Sequence, residues 1–208
     1  MLNSSRRRWL LAGAGAIAAG TLHAAQKLIA TPAQMMGPFY PDEPPLDQDN
    51  DLTSVRGARG MAQGTIAEVS GRLLDTNGNP VRATRIEIWQ CDARGFYHHA
   101  RDRAGPRDAA FQGFGHTVTD SDGRYRFRTI KPVTYPGRTP HIHFAVRPDF
   151  DNPFVTQLYV SGEPRNATDG LYQSIPSERR RLVTADFRPA GGILGARFDI
   201  VIGATPTT

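Results

Sequence analysis

From Thr65 onward, apolar and polar residues alternate in short runs separated by turn residues, the pattern of strands with one buried face. The runs predict strands over Ile66–Leu74, Thr84–Gln90, His141–Arg147, Phe154–Val160 and Ala196–Ile202. Asp75-Thr76-Asn77-Gly78-Asn79-Pro80 reads as a turn on the strength of Asn77-Gly78. Thr117–Thr119 and Arg124–Ile130, joined by Asp120-Ser121-Asp122-Gly123, read as a hairpin. Asp-x-Asn-Gly and Asp-x-Asp-Gly lack the downstream glutamate of a calcium loop, so turn chemistry explains them. Arg179–Thr184 is read as a short helix after Pro176-Ser177. The expected fold is all-β, an antiparallel sandwich over residues 65–208 with long loops at the active site. Residues 25–64 are rich in Pro, Gly, Asp and Gln without helical periodicity. They are expected to form an irregular amino-terminal arm lying across the domain or a partner subunit.

Composition changes this picture only at the amino terminus. The chain has 208 residues, 39% hydrophobic and 22% charged, ordinary for one soluble domain. Three of its net +5 charges are Arg6, Arg7 and Arg8, and residues 1–24 hold no acid or other Lys or Arg, so the remainder carries +5 − 3 = +2. The basic balance is therefore no argument for nucleic-acid binding. The one cysteine, Cys91, excludes an intrachain disulfide and a cysteine zinc site, and reads as a small buried apolar residue. Ser5-Arg6-Arg7-Arg8-Trp9-Leu10-Leu11 resembles a twin-arginine export signal. The Gly/Ala-rich run behind it is too short to span a bilayer and ends at small residues near Ala24. Residues 1–24 are thus read as a leader, the mature protein as periplasmic or exported, with no stable membrane insertion.

Candidate chemistry centres on Thr134-Tyr135-Pro136-Gly137-Arg138-Thr139-Pro140-His141-Ile142-His143-Phe144. On a strand His141 and His143 share a face, roughly 7 Å apart along the chain, while Ile142, Phe144 and Val146 face a core. Such a pair either decorates a solvated face or closes on a metal ion. Tyr135 and Arg138 lie just upstream in a stretch whose path Pro136, Gly137 and Pro140 restrict. Upstream again, Trp89 to His99 leaves a strand, turns at Gly95 and delivers Tyr97.

These pieces, taken together and in order, resemble the intradiol ring-cleavage dioxygenases. The resemblance rests on Gly71-Arg72-Leu73-Leu74-Asp75, Ile86-Glu87-Ile88-Trp89-Gln90, Gly95-Phe96-Tyr97, Thr119 to Tyr125, Tyr135-Pro136, His141-Ile142-His143-Phe144 and Val155 to Tyr159, with Gly37-Pro38-Phe39 in the arm. It is nearest to protocatechuate 3,4-dioxygenase-like subunits. It implies a non-haem Fe(III) held by Tyr97, Tyr135, His141 and His143. It also implies a catechol-type substrate cleaved with O2 to a cis,cis-muconate type diacid, with Tyr135 doubling as a base, Arg138 stabilising negative charge and Gln157 beside it. Homo- or hetero-oligomeric assembly is compatible with the resemblance. Only five residues separate Tyr135 from His141, shorter than in the protocatechuate enzymes, so the substrate does not carry over. His98, His99 and His116 are read as surface or supporting groups. The rival reading is a non-catalytic transthyretin-like sandwich module, which shares the turn and strand pieces but has no need of the two tyrosines and two histidines together. A cupin-type site would want a glutamate shortly after His143, where Phe144-Ala145-Val146-Arg147-Pro148 stands instead.

Overall fold

A computed structural model describes residues 27–43, 45–103, 105–148 and 151–203. The leader expected over residues 1–24 lies outside the described residues. Ten strands make two five-stranded sheets. In the first, β1 (Ile66–Asp75) is central. It pairs antiparallel with β4 (Arg124–Ile130) on one edge and parallel with β9 (Ile193–Arg197) and then β10 (Ile200–Ile202) on the other, and β8 (Arg188–Ala190) flanks β9. The second runs β3 (Phe114–Val118), β2 (Arg85–Trp89), β5 (His141–Arg147), β6 (Phe154–Val160), β7 (Thr184–Ala185). The sandwich is therefore all-β as expected, but its sheets are mixed, with three parallel pairings near the carboxyl terminus.

Alternation along β1 is strict, every second residue from Ala67 to Asp75 being buried. Val69 and Leu73 of β1, with Phe127 of β4, share one continuous core with Ile86, Ile88, Ile142, Phe144 and Val146 of the other sheet. Gly71 is needed where β1 meets the last strands. A Cβ there would stand 1.8 Å from the Phe198 carbonyl oxygen, which also accepts the Tyr125 hydroxyl. The strand expected over Ala196–Ile202 breaks at this point. Asp199 Oδ1 accepts the Arg72 amide at 2.8 Å, so a side chain replaces one rung of the ladder.

The expected hairpin does not form. β3 pairs with β2 and β4 with β1, so the Asp120–Gly123 turn carries the chain from one sheet to the other. The turn closes on itself, Asp120 Oδ1 accepting the Asp122 and Arg124 amides at 2.9 and 2.8 Å, and so dictates no ladder beyond it. The short helix expected at Arg179–Thr184 appears as a 3-10 turn over Ser177–Leu182. It follows an unforeseen single-turn helix, α1 (Gly170–Gln173), capped by Asp169.

The described part of the arm lies across the domain. The Leu28, Thr31 and Gln34 amides donate to the carbonyls of Thr76, Val201 and Val155, and Leu52 is wholly buried in the core. The arm's effect on β5 is decisive. The face carrying the histidines is as buried as the core face, every residue from His141 to Val146 being shielded. Met36, Phe39 and Tyr40 pack there with Trp89, Cys91, Tyr97 and Phe114 in a second apolar cluster.

Candidate metal centre

Two strands and two loops supply the site. Register pairs Trp89 of β2 with His143 of β5, and His143 with Gln157 of β6. The Trp89 and His143 rings stack at 4.7 Å, only 10° from parallel, which fixes the imidazole plane. After β2 the chain turns at Gly95 (φ 85°), where a Cβ would meet the Thr134 carbonyl at 2.9 Å. That close approach is what lets the Tyr97 loop lie against the Tyr135 loop. Asp92, fully buried, holds the loop by accepting the Arg94, Phe96 and Asp108 amides. Asp102 accepts the Tyr97 amide at 2.7 Å.

Tyr135-Pro136-Gly137-Arg138 is a turn closed by the Arg138 amide on the Tyr135 carbonyl at 3.0 Å. Proline at its second position and glycine at its third, with φ 82°, are what a type II turn requires. The turn sets Tyr135 and Arg138 side by side. Arg138 is then gripped on two edges, by Asp169 at 2.8 Å through Nε and by Gln157 at 2.7 Å through Nη2. Its Nη1 faces the Tyr135 hydroxyl at 3.4 Å and His141 Nε2 at 3.3 Å.

Six residues singled out in the sequence thus converge: Tyr97, Tyr135, Arg138, His141, His143 and Gln157. The Nε2 atoms of His141 and His143 are 3.1 Å apart. The Tyr97 ring is edge-on to Tyr135 at 5.3 Å and lies 6.3 Å from His143. His141 Nδ1 is 2.7 Å from the Thr139 carbonyl, which can only accept, so Nδ1 holds the proton and Nε2 presents a lone pair to the site. Burial, reinforced by Arg138, pushes His141 down to about 3, and burial with His141 beside it pushes His143 well below its ordinary value. Both rings are neutral at neutral pH, as metal ligands must be.

The donor set fits a metal cation on the balance of its buried polar atoms. His143 Nδ1 is buried with no hydrogen-bond partner, and the buried Tyr97 hydroxyl has only the Tyr135 phenol beside it. If the His143 proton is on Nδ1, two lone pairs face each other at 3.1 Å; if it is on Nε2, Nδ1 is an orphaned acceptor. A cation between the Nε2 atoms removes the conflict. Burial also pushes the Tyr97 phenol well above its usual value, with Tyr135 adding to it, and burial raises Tyr135 against the pull of Arg138. Phenolates here therefore need a strong positive charge that the side chains alone do not provide. Among the described residues no three His, Cys, Asp or Glu side chains cluster in a metal-binding arrangement, so the two phenols are the natural partners of the imidazoles.

An open cavity of about 420 Å³ borders Tyr135, Arg138, His143 and Gln157 and is walled by Met35, Phe39 and Leu171 among others. Tyr97 lies behind the rim, 2% exposed. The sequence reading missed Asp169, the anchor of Arg138, and Tyr159, whose hydroxyl lies 2.9 Å from Gln34 Oε1 and 3.1 Å from Gln157 Oε1. Of the extra histidines, His99 is buried 3.3 Å from Asp42 of the arm, and neither His98 nor His116 enters the cluster.

The all-β sandwich thus gathers two buried imidazoles, one buried phenol and one half-buried phenol at a single point. A family model described as "Dioxygenase" matches residues 35–204. The chain is 41% identical over 184 residues to a protocatechuate 3,4-dioxygenase beta chain of Burkholderia cepacia, covering 82% of this chain and 78% of that one. It is 32% identical over 202 residues to a hydroxyquinol 1,2-dioxygenase of Corynebacterium glutamicum, covering 83% of this chain and 64% of that longer protein. The solved dioxygenase domain of a dioxygenase carbohydrate-binding protein fusion from Streptomyces sp. SirexAA-E superposes with a TM-score of 0.65 at 32% identity, covering 85% of this chain and 99% of that one. The chain belongs to the intradiol ring-cleavage dioxygenase family.

Proposed function

We propose that the protein is a non-haem Fe(III) enzyme that opens a catechol-type ring between its two hydroxyl-bearing carbons, placing both atoms of O2 in a cis,cis-muconate type diacid. Because both oxygen atoms stay in the product, no outside reductant is required. Tyr97, Tyr135, His141 and His143 would hold the metal. When bound, ferric iron supplies a Lewis-acidic centre that draws electron density from a catecholate and opens the ring to O2.

The chain's own residues divide the remaining work. Tyr135, which borders the cavity, would take a proton from an incoming catechol hydroxyl. Arg138, whose Nη1 faces Tyr135 and His141 and which Asp169 and Gln157 hold in place, would stabilise negative charge developing on the ring without reorganisation. His141 keeps its Nδ1 proton on the Thr139 carbonyl throughout. Phe39, stacked on Tyr97 at 4.6 Å, keeps water from the inner phenol.

The observation that carries this reading is the 3.1 Å approach of two neutral imidazoles beside the buried Tyr97 phenol. Iron-loaded protein should show a visible phenolate-to-ferric band and consume O2 with a catechol. A colourless iron-loaded protein that consumes none would return the molecule to the transthyretin-like binding reading. We also infer export through the twin-arginine-like leader. Replacing Arg6, Arg7 and Arg8 by lysine should retain the protein in the cytoplasm, and unchanged fractionation would refute it.

A further inference from the structure

The cavity beside Tyr135 is larger than a bare catechol needs. Its volume is about 420 Å³, whereas eight heavy atoms displace on the order of 120 Å³, about four waters at ~30 Å³ each. Its far wall is apolar, built by Met35, Pro38 and Phe39 of the arm and Leu171 of α1. Met35 and Leu171 also border a second cavity of about 290 Å³, which runs between the arm and residues 171–179 past Pro32, Ala33 and Ile175; its polar lining is Gln34, Ser174 and Arg179, whose Nη2 donates to the Ala30 carbonyl at 2.7 Å. The two spaces meet at this pair of side chains, and the Met35 side is 57% exposed.

Charge on the first wall points the same way. Among its described residues the only Lys or Arg is Arg138, already engaged by Asp169 and Gln157, and an acid, Asp102, stands on the same wall. A carboxylate on the ring would lose water there and find no cation besides Arg138, whose Nη1 faces Tyr135 and His141. An alkyl or aryl substituent would instead exchange water for Met35, Leu171 and, beyond them, Pro32, Ala33 and Ile175, with Arg179 the one charged residue among the described residues of that lining.

Resting on the ring-cleavage reading, we propose that the Met35–Leu171 junction joins both cavities into one groove, and that the preferred substrate is a catechol carrying an extended, uncharged apolar substituent rather than a ring carboxylate. The second cavity is then the subsite for the substituent, and the arm, not the sandwich, sets specificity.

The test compares catechol, 4-methylcatechol, 4-hexylcatechol and 3,4-dihydroxybenzoate as substrates of the iron-loaded full chain, by O2 uptake. Each buried methylene is worth roughly fourfold in binding. Allowing for partial exposure and lost rotamers, kcat/KM for the hexyl compound should exceed that for the methyl compound by at least about 30-fold, mostly through KM, with the carboxylated ring below both. Anaerobic calorimetry should give the same order in Kd. Ala33→Trp, which crowds only the second cavity, should collapse the hexyl-to-methyl ratio toward one. A flat response to chain length, a preference for 3,4-dihydroxybenzoate, or a ratio that survives Ala33→Trp overturns the groove. If no catechol consumes O2, the ring-cleavage reading fails first and takes the groove with it. Cleavage without length dependence sinks the groove alone.

Discussion

The centre is assembled from two unlike materials. His141 and His143 stand on β5, hydrogen-bonded along both edges to β2 and β6 and buried on both faces. Tyr135 and Arg138 stand on a four-residue turn whose Pro136 and Gly137 are exposed, tied down by the Thr134 hydroxyl on the Arg138 carbonyl at 2.7 Å and by the Arg138 side chain itself. Moving the His143 backbone would break two ladders; moving Tyr135 would loosen ring contacts with Phe39, Tyr97 and His141 and a weak contact with Arg138. On the proposed function, the contrast would give metal retention to the strand and proton handling to the turn, since mobile catalytic groups belong to regions of low local stability.

The strand half should break hardest. His143→Ala removes a donor and its stack on Trp89, and a direct ligand should matter at least as much as the supporting groups whose loss costs about 10–100-fold in metal affinity. Iron per chain, measured by metal analysis after gel filtration, should fall to about a tenth or less, with O2 uptake abolished. Full iron occupancy and activity would remove His143 from the centre.

The two phenols sharpen the comparison next. Tyr135→Phe should keep most of the iron, shift the visible band and lower kcat by about 10²–10⁴, the range of a positioned base. Tyr97→Phe, altering the buried phenol behind the rim, should cost iron instead. If Tyr135→Phe loses the metal and Tyr97→Phe keeps it, the division between strand-side and turn-side roles is wrong.

What the sequence disclosed follows the same line. The period-two pattern of His141 to Val146 is local, so the strand, its histidine face and its core face were readable before any fold was known. The Tyr135 turn was legible in Pro136 and Gly137. The closing of Arg138 on Asp169 was not, because 31 residues separate them and nothing in either stretch names the other. The same limit produced the false hairpin at Asp120–Gly123: turn chemistry is local, but the choice of sheet for β4 is made by Tyr125 and Phe127 packing across the core against Phe144. Burial of the histidine face was likewise invisible, since the arm that covers it has no periodicity of its own.

Asp169→Asn tests how firmly the turn is held. Asp169 is 3% exposed. Burial alone would raise its carboxyl, but the Thr139 and Tyr172 amides and Arg138 outweigh that and hold it below the usual range. Removing the charge strands Arg138 and should cost roughly 3 kcal/mol at pH 7, with a fall in kcat as Nη1 loses its aim. A carboxyl depressed in the folded state contributes stability above its unfolded value near pH ~4, and loses it as pH falls through the lower folded value. The stability gap between wild type and Asp169→Asn, by urea denaturation, should therefore narrow from pH 7 to pH 3. A gap that stays constant across that range would mean the pair is held by packing, not charge.

The smallest expected effect isolates the opposite face of the same strand. Ile142 sits between the two ligands in sequence but points into the shared core, fully buried with Phe144 and Val146. Ile142→Val deletes one methylene there and should cost about 0.5–1.5 kcal/mol. The β5 backbone keeps its pairings with β2 and β6, and the histidines face away from the lost atom, so iron content and kcat should match wild type. Urea denaturation of the metal-free protein gives the first number, and metal analysis with O2 uptake the others. Should a change this small lower iron content, the strand is no rigid platform: core packing and ligand geometry would then be coupled through β5, and retention of the metal would be a property of the whole sandwich.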